Sequence, residues 1–407
     1  MKKAFSIILA ILLFCAGANA QWYLFPGGRA SSRTEQQETE EYGGNNSRNL
    51  YPVPDSNNAD YESGARNTFF GRLSTINVLL ALPVNAESAK PNANFLEMYC
   101  GALLALRDLG NEGMKIKLKF VDTGKRELNS AEIQDADVII GPVNYDEILN
   151  ALPFCGDQKM LVSPLDPKAS ALAESSSVIQ APSAWTCQID ELADWVQEEL
   201  MPGDELIVVR DPSGNGQGEQ SSYLLNRLHS KVLNFRTVKS VSDIPFQEGR
   251  TYRLIIASDS DSFLTGATRA AAIEAARNRD IILYSTSRIR STIGSNVNDL
   301  HNTRTRLTAA YYIDYDSPEV KDFILDYRAL FNAEPGSFAF QGYDTMHYFV
   351  SMCADYGRRW YRRLPEYQER GLQSDFRFDR RESNGKANVA VRRIVYNANL
   401  TTTLVQD

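Results

Sequence analysis

Apolar residues fall along this chain in three patterns. Residues 5–17, FSIILAILLFCAG, form one unbroken apolar block. Residues 21–73 hold few apolar positions and no period. From Thr75 onward, short continuous runs alternate with runs spaced three and four residues apart. The continuous runs read as buried strands, and the spaced runs as helices with one apolar face. INVLLALPV (76–84) predicts a strand. FLEMYCGALLALRDLG (95–110) places Phe95, Met98, Tyr99, Ala102, Leu103, Leu106 and Leu109 on one helix face, and Gly110 suits the stop. KIKLKFVDTG (115–124) alternates as a strand does. AEIQ is a helical fragment, ADVIIGPV (136–143) a strand, DEILNALPFCGD a helix and KMLVSPL (159–165) a strand.

The alternation then restarts. Helices are predicted at 187–200, 218–232 and 266–280, and strands at 204–211, 234–241, 251–260 and 280–287. TAAYYIDYD (308–316) follows, then two helical stretches, 318–332 and 343–357. SDFRFDRRES and ANVAVRRIVYNA, joined by the turn NGK, predict a terminal β-hairpin. Strands alternating with helices imply βαβ units and parallel sheets. The expected fold class is therefore α/β with two lobes, each a parallel sheet flanked by helices. The helices left after the second unit most economically return to the first. The expected boundaries are 74–185 with 310–365 for lobe I and 186–309 for lobe II, with an extension, 366–407, packed on lobe I. Ligands of open α/β sheets bind beyond the carboxyl ends of the strands, here in a cleft between lobes.

Composition changes the picture at the amino end. Lys2 and Lys3, the apolar block and Ala18-Asn19-Ala20 have the layout of a cleaved export signal over residues 1–20. The block is short for a bilayer span. Phe14 before Cys15 argues against lipidation. The expected location is the periplasm, with no membrane-spanning segment after cleavage. Residues 21–73 read as a flexible polar lead; only its opening, WYLFPGG, has the character to dock. The net charge is −8 over 407 residues, which gives a nucleic-acid partner no support. Cys100, Cys155, Cys187 and Cys353 remain after the signal. They form no CxxC pair, so a metal site has no frame, and disulfides and buried thiols both stay open.

Catalytic motifs are missing. The three histidines, His229, His301 and His347, lie outside any HExxH, and there is no GxSxG. DPSGNGQGEQ (211–220) fails as a dinucleotide loop, because Glu219 stands where a third glycine belongs, and it has no Gly-Lys-Ser/Thr for a P-loop. It reads as a mobile rim loop. No enzyme activity and no cofactor are expected. RRWYRRLPEYQERGLQSDFRFDRR (358–381) is basic and aromatic within an acidic protein, suited to an anionic polymer, lipid headgroups or an acidic partner; the plainer reading is a solvated face.

The order of the first strands, with FLEMYCGALLALRDL between them, and the stretch FAFQGYDTMHYFVSMCADYG (338–357) resemble the type I periplasmic binding proteins, receptors of branched-chain amino-acid transporters and their relatives. That family's return helix often opens with Gly-Tyr-Asp. Within it the chain most resembles Bacteroidota envelope proteins that join a LysM module to such a domain, although no LysM module is visible. A more distant look-alike is the outer-membrane activator of penicillin-binding proteins. Amino-acid receptors of the family hold the ligand with small hydroxyl residues and backbone N–H groups, in a loop resembling Ser-Pro-x-Ala-Thr. Here Ser163-Pro164-Leu165 matches, but Asp166-Pro167 replaces Ala-Thr. An aspartate there repels a carboxylate, and a proline lacks the backbone donor. The earlier loop reads Pro142-Val143-Asn144-Tyr145-Asp146.

The resemblance thus implies a small polar ligand other than a standard branched-chain amino acid. The contacts expected for it are Asn144, Tyr145, Ser163 and Asp166 in the first unit and Asp211, Asp259, Ser285 and Ser287 in the second. Asp166 has a plainer role as a helix cap. A membrane transporter is the expected protein partner. The alternative is an envelope scaffold without ligand that contacts a cell-wall synthase.

Overall fold

The computed structural model describes residues 22–23, 73–166, 168–174, 176–293, 296–380 and 385–405. The expected signal and most of the lead lie outside them. The first chain run builds β1 (Trp22–Tyr23), β2 (Ile76–Leu82), α1 (Ala93–Asn111), β3 (Ile116–Asp122), α2 (Ser130–Asp135), β4 (Val138–Ile140), α3 (Tyr145–Ala151), β5 (Leu161–Ser163), α4 (Ala169–Ala173) and β6 (Val178–Gln180). The second builds α5 (Trp185–Glu199), β7 (Glu205–Arg210), α6 (Glu219–Ser230), β8 (Arg236–Val238), β9 (Thr251–Ala257), α7 (Asp261–Ala276), β10 (Asp280–Thr286), α8 (Arg288–Ile293), α9 (Asn298–Asn302) and β11 (Arg306–Ala309). Then come α10 (Pro318–Phe331), α11 (Ser337–Tyr356), a 3-10 segment (Gly357–Glu366), β12 (Glu369–Arg370), β13 (Asp375–Phe376), β14 (Lys386–Ala387), β15 (Arg392–Tyr396) and β16 (Thr402–Leu404).

Two compact units result. One takes the chain up to Pro182 and again over Ile313–Asn388; the other takes Ser183–Tyr312 and Val389 onward. In the first, the sheet order is β1-β3-β2-β4-β5-β6-β14; in the second it is β16-β15-β11-β10-β9-β7-β8. The parallel cores, β3-β2-β4-β5-β6 and β8-β7-β9-β10-β11, follow the same order of use. β1 joins as an antiparallel edge, pairing Trp22 with Leu118 and Tyr23 with Lys117, so the opening of WYLFPGG lies on β3.

In the first unit, β2 is buried on both faces, as its continuous apolar run requires. Val78, Leu80 and Leu82 join the cluster containing α1 and α11, while Leu79 and Ala81 face Ile133, Ile148 and Leu161. The two helices approach closely because glycine stands at the crossing. A Cβ on Gly101 would fall 1.8 Å from the Ala339 carbonyl oxygen, and one on Gly342 would fall 2.0 Å from that of Met98. The helix predicted from Tyr343 begins six residues earlier, at Ser337, because Ala339 and Phe340 bury themselves there.

The second unit packs two apolar layers on its sheet, and a charged hub closes one side. Glu199, at the end of α5, accepts from Trp195 Nε1 (2.9 Å), Tyr284 OH (2.5 Å) and Arg306 Nε (2.9 Å).

The carboxyl-terminal extension departs from expectation. It does not form one hairpin packed on the first unit. β14 pairs in parallel with β6, and Phe378 bridges Asn388. β15 then pairs antiparallel with β11 of the second unit and with β16. The physical reason is that β6 and β11 each leave a row of unpaired backbone groups at a sheet edge, and one extended segment covers both in turn. Residues 381–384, which include part of the expected NGK turn, lie outside the described residues.

The four cysteines among the described residues are thiols, and burial pushes those of Cys100, Cys155 and Cys353 up to about 12. No helix among the described residues is long and apolar enough to cross a membrane.

Candidate functional site

The loops beyond the carboxyl ends of the strands carry the expected contact residues, and each unit uses them in its own way. In the first unit, β4 runs into Gly141 and a cis Gly141-Pro142 bond, and the chain turns into α3 at Asn144. Asn144 is exposed and donates from Nδ2 to Glu147 Oε1 (2.8 Å). β5 ends at Ser163, from which the chain passes through Pro164 and Leu165 to Asp166.

The structure brings Tyr145 and Asp166 together. The Tyr145 N–H donates to Asp166 Oδ2 (3.1 Å), and the Lys168 N–H donates to Asp166 Oδ1 (2.9 Å). Both carboxylate oxygens are therefore used by backbone donors, one of them at the first residue of α3. The Asp166 carbonyl accepts from the Ala169 N–H (3.1 Å), which starts α4. Asp166 thus ties the β4 loop to the β5 loop, a wider role than capping one turn.

Ser163 is fully buried, and its hydroxyl has no hydrogen-bond partner among the described residues. Gln180, its register partner on β6, is also buried, and its Oε1 has none among them either. Side chains paired across a parallel ladder point to the same face, so two unused polar groups lie side by side at the ends of β5 and β6.

Behind this loop stands a polar cluster that the sequence did not announce as a unit. Gln341 Nε2 donates to the Pro164 carbonyl (3.2 Å) and to Thr345 Oγ1 (3.2 Å), while its Oε1 accepts from Gln373 Nε2 (2.9 Å). Asp344 accepts from the backbone N–H groups of Leu372 (2.7 Å), Gln373 (2.9 Å) and Ser374 (3.0 Å). Tyr343 OH donates to Asp108 Oδ2 (3.0 Å). The Gly342-Tyr343-Asp344 triplet is therefore structural throughout. Gly342 allows close helix approach, Tyr343 bonds to α1, and Asp344 captures the 372–374 turn. The signal available was Gln341 itself, a buried amide directly before that triplet.

In the second unit the acidic residues are again used internally. Asp211 accepts from the Ser213 N–H (2.8 Å) and hydroxyl (2.6 Å) and from Ser258 Oγ (2.7 Å). Burial works to raise its pKa, but these bonds outweigh burial and hold the carboxyl below its ordinary range. Asp259 accepts from the N–H groups of Gln220 (3.1 Å) and Ser221 (2.8 Å), at the start of α6. A carboxylate at that end also complements the helix dipole. This arrangement explains the glycines of the 211–220 stretch. A Cβ on Gly216 would fall 2.0 Å from the Asp211 carbonyl oxygen, and one on Gly218 would fall 2.3 Å from the Asp259 carboxyl carbon. Residues Gly214–Gln217 form a 3-10 turn held to the unit by these contacts.

Ser287 donates its hydroxyl to Gln188 Oε1 (2.8 Å), a partner on α5 that sequence reading did not single out. Gln188 is a buried amide on the helix's apolar face, flanked by Ile189 and Leu192. Ser285 is not brought to these residues; its hydroxyl meets the Thr286 carbonyl at 3.4 Å. Among the described residues no group of three or more His, Cys, Asp and Glu is placed to hold a metal ion.

No family model matches the chain, and no curated protein matches it. Solved structures do. One ascribed to a branched-chain amino acid ABC transporter of Rhodospirillum rubrum is similar with a TM-score of 0.57 and 15% identity, over 81% of this chain and 100% of that one. The C-domain of LpoA from Haemophilus influenzae, a regulator of PBP1A, is similar with a TM-score of 0.50 and 13% identity, over 81% and 100%. At such identities the likeness is one of fold, and the fold of this chain is the two-lobed fold of the type I periplasmic binding proteins.

Proposed function

We propose that this chain is an exported binding protein for a small, neutral, polar ligand and not an amino-acid receptor. The observation that carries this reading is Asp166. Amino-acid receptors of the resembled family offer loop N–H groups to the ligand carboxylate. Here the Tyr145 and Lys168 N–H groups already bond the two oxygens of Asp166. On this reading the chain's own carboxylate takes up donors that would serve a ligand carboxylate, and a second anion beside it is repelled. Exposed Asn144 and half-buried Tyr145 offer amide, hydroxyl and aromatic groups suited to a sugar-like or amide-bearing molecule.

The same observation favours a second reading. A receptor whose loop donors are permanently filled is also suited to serve as an envelope scaffold, with a cell-wall synthase as partner. Thermal unfolding of the mature protein against amino acids, sugars and muropeptides separates the two. A ligand of the folded state raises stability by about 2.7 kcal/mol at a hundredfold excess over its Kd. A shift with sugars or muropeptides supports the ligand reading. A shift with free amino acids overturns the exclusion argued from Asp166. A flat panel, with a penicillin-binding protein captured from envelope extract, moves the assignment to the scaffold.

A further inference from the structure

Within the first unit, the loops just described lie at the carboxyl ends of the parallel strands. The opposite end carries a separate feature. The 3-10 segment Gly357–Glu366 follows α11 and packs there, where the Trp360 Nε1 donates to the carbonyl of Asp137 (3.1 Å), one residue before β4 begins. Gly357, Trp360, Tyr361 and Leu364 are buried. The positions between them are Arg358, Arg359, Arg362 and Arg363, and all four are exposed. Burial of the aromatic and aliphatic anchors leaves four guanidinium groups and the Glu366 carboxylate exposed on this segment.

Two of the four arginines have an ion-pair partner among the described residues. Arg358 donates from Nε to Asp137 Oδ1 (3.2 Å), yet its side chain stays 74% exposed. Arg363 pairs with exposed Glu366 (2.6 Å). Arg362 lies over the Tyr361 ring (5.9 Å), and Arg359 has no ion-pair partner among the described residues. Half-buried Lys159, before β5, and exposed Lys115, before β3, lie at the same end of the sheet, together with the exposed carboxylates of Glu112, Asp135, Asp157 and Asp355. The whole chain carries −8, so four exposed arginines within six residues run against the general charge.

We propose that the Arg358–Arg363 face is a docking surface for a membrane of anionic phospholipid. Three features point to that partner. Guanidinium forks match phosphate oxygens in pairs. A protein partner of ordinary affinity wants an exposed aromatic or apolar centre, and this face has none. An exported chain also works beside membranes. Docking by this face leaves the loops at the carboxyl ends of the strands of that unit turned away from the bilayer.

The test is co-sedimentation of the mature protein with vesicles of phosphatidylcholine alone and of phosphatidylcholine with phosphatidylglycerol, at low and high salt. Binding is expected only to the anionic vesicles and to fall with salt. Each arginine removed is expected to weaken partitioning about fivefold. The variant Arg359→Glu, Arg362→Glu, Arg363→Glu leaves the Arg358–Asp137 contact intact and should abolish binding while its unfolding midpoint stays near that of the parent. The triple Arg→Lys variant, which keeps the charge, should still bind. No binding to anionic vesicles, or binding that the Glu variant retains, overturns the proposal. So does competition by soluble polyphosphate in a chain that ignores vesicles, which would assign the face to a soluble polyanion.

Discussion

At the scale of single residues, the acidic side chains that invite a ligand are the ones the protein spends on itself. Asp166→Ala removes the acceptor from two backbone N–H groups in separate loops. The exposed Lys168 N–H turns to water, so the loss rests on the half-buried Tyr145 N–H, and urea unfolding should register about 1 kcal/mol. His347 gives a pH signature. It is buried on α11 with Nδ1 3.3 Å from Glu369 Oε1, and it stacks on Tyr343. Burial works to lower the imidazole pKa, and the bond to Glu369 with its charge outweighs burial and raises it. A raised folded pKa contributes stability that is fully present below the unfolded value of about 6.5 and is lost as pH rises through the folded value. Unfolding free energies taken from pH 6 to pH 9 should therefore decline in the parent relative to His347→Gln. Parallel profiles would refute the coupling.

At the scale of elements, glycines and one carboxylate set how helices and turns meet. An alanine in a helix ordinarily gains about 1 kcal/mol over glycine. At Gly342 the sign should reverse, because the added carbon meets the Met98 carbonyl. Overpacking of this kind costs about 1 to 3 kcal/mol, and a lowered melting midpoint for Gly342→Ala is the expected reading. Asp344→Ala should cost more, over about 3 kcal/mol, since three buried N–H groups lose one acceptor together. Fluorescence of Trp360 and Trp195 should report the loss in denaturant.

The elements also show what was legible in the chain. β2, α1, β7 and β9 are plain in the sequence because long apolar runs and repeated spacing mark them. β6 is three residues, Val178–Gln180, with serines before it, too short to carry a period. The bond from Tyr145 to Asp166 joins residues 21 apart in two loops, and no local pattern encodes it. The candidate positions could be named from resemblance and strand ends. Their being engaged with one another depends on backbone geometry that composition does not carry.

At the scale of the whole molecule, the chain passes between its two units three times, after Pro182, Tyr312 and Asn388. β15 supplies the antiparallel neighbour of β11, so the second unit borrows its last two strands from the end of the sequence. A chain ending at Asn388 would leave β11 as an open edge, prone to pairing with other copies. That truncation should aggregate or show early proteolysis within 183–312, while α1 and α11 stay protected. Equal protection of both units would count against the borrowed edge as a stabilising element.

The borrowed edge has a consequence for biogenesis. A chain made from its amino end delivers β7 to β11 before β15 arrives. For that interval the second sheet waits half-finished, with its rim bare, and only the final residues zip it shut. The time spent in synthesis thus becomes a period of vulnerability, and β15 and β16 serve as the clasp that ends it.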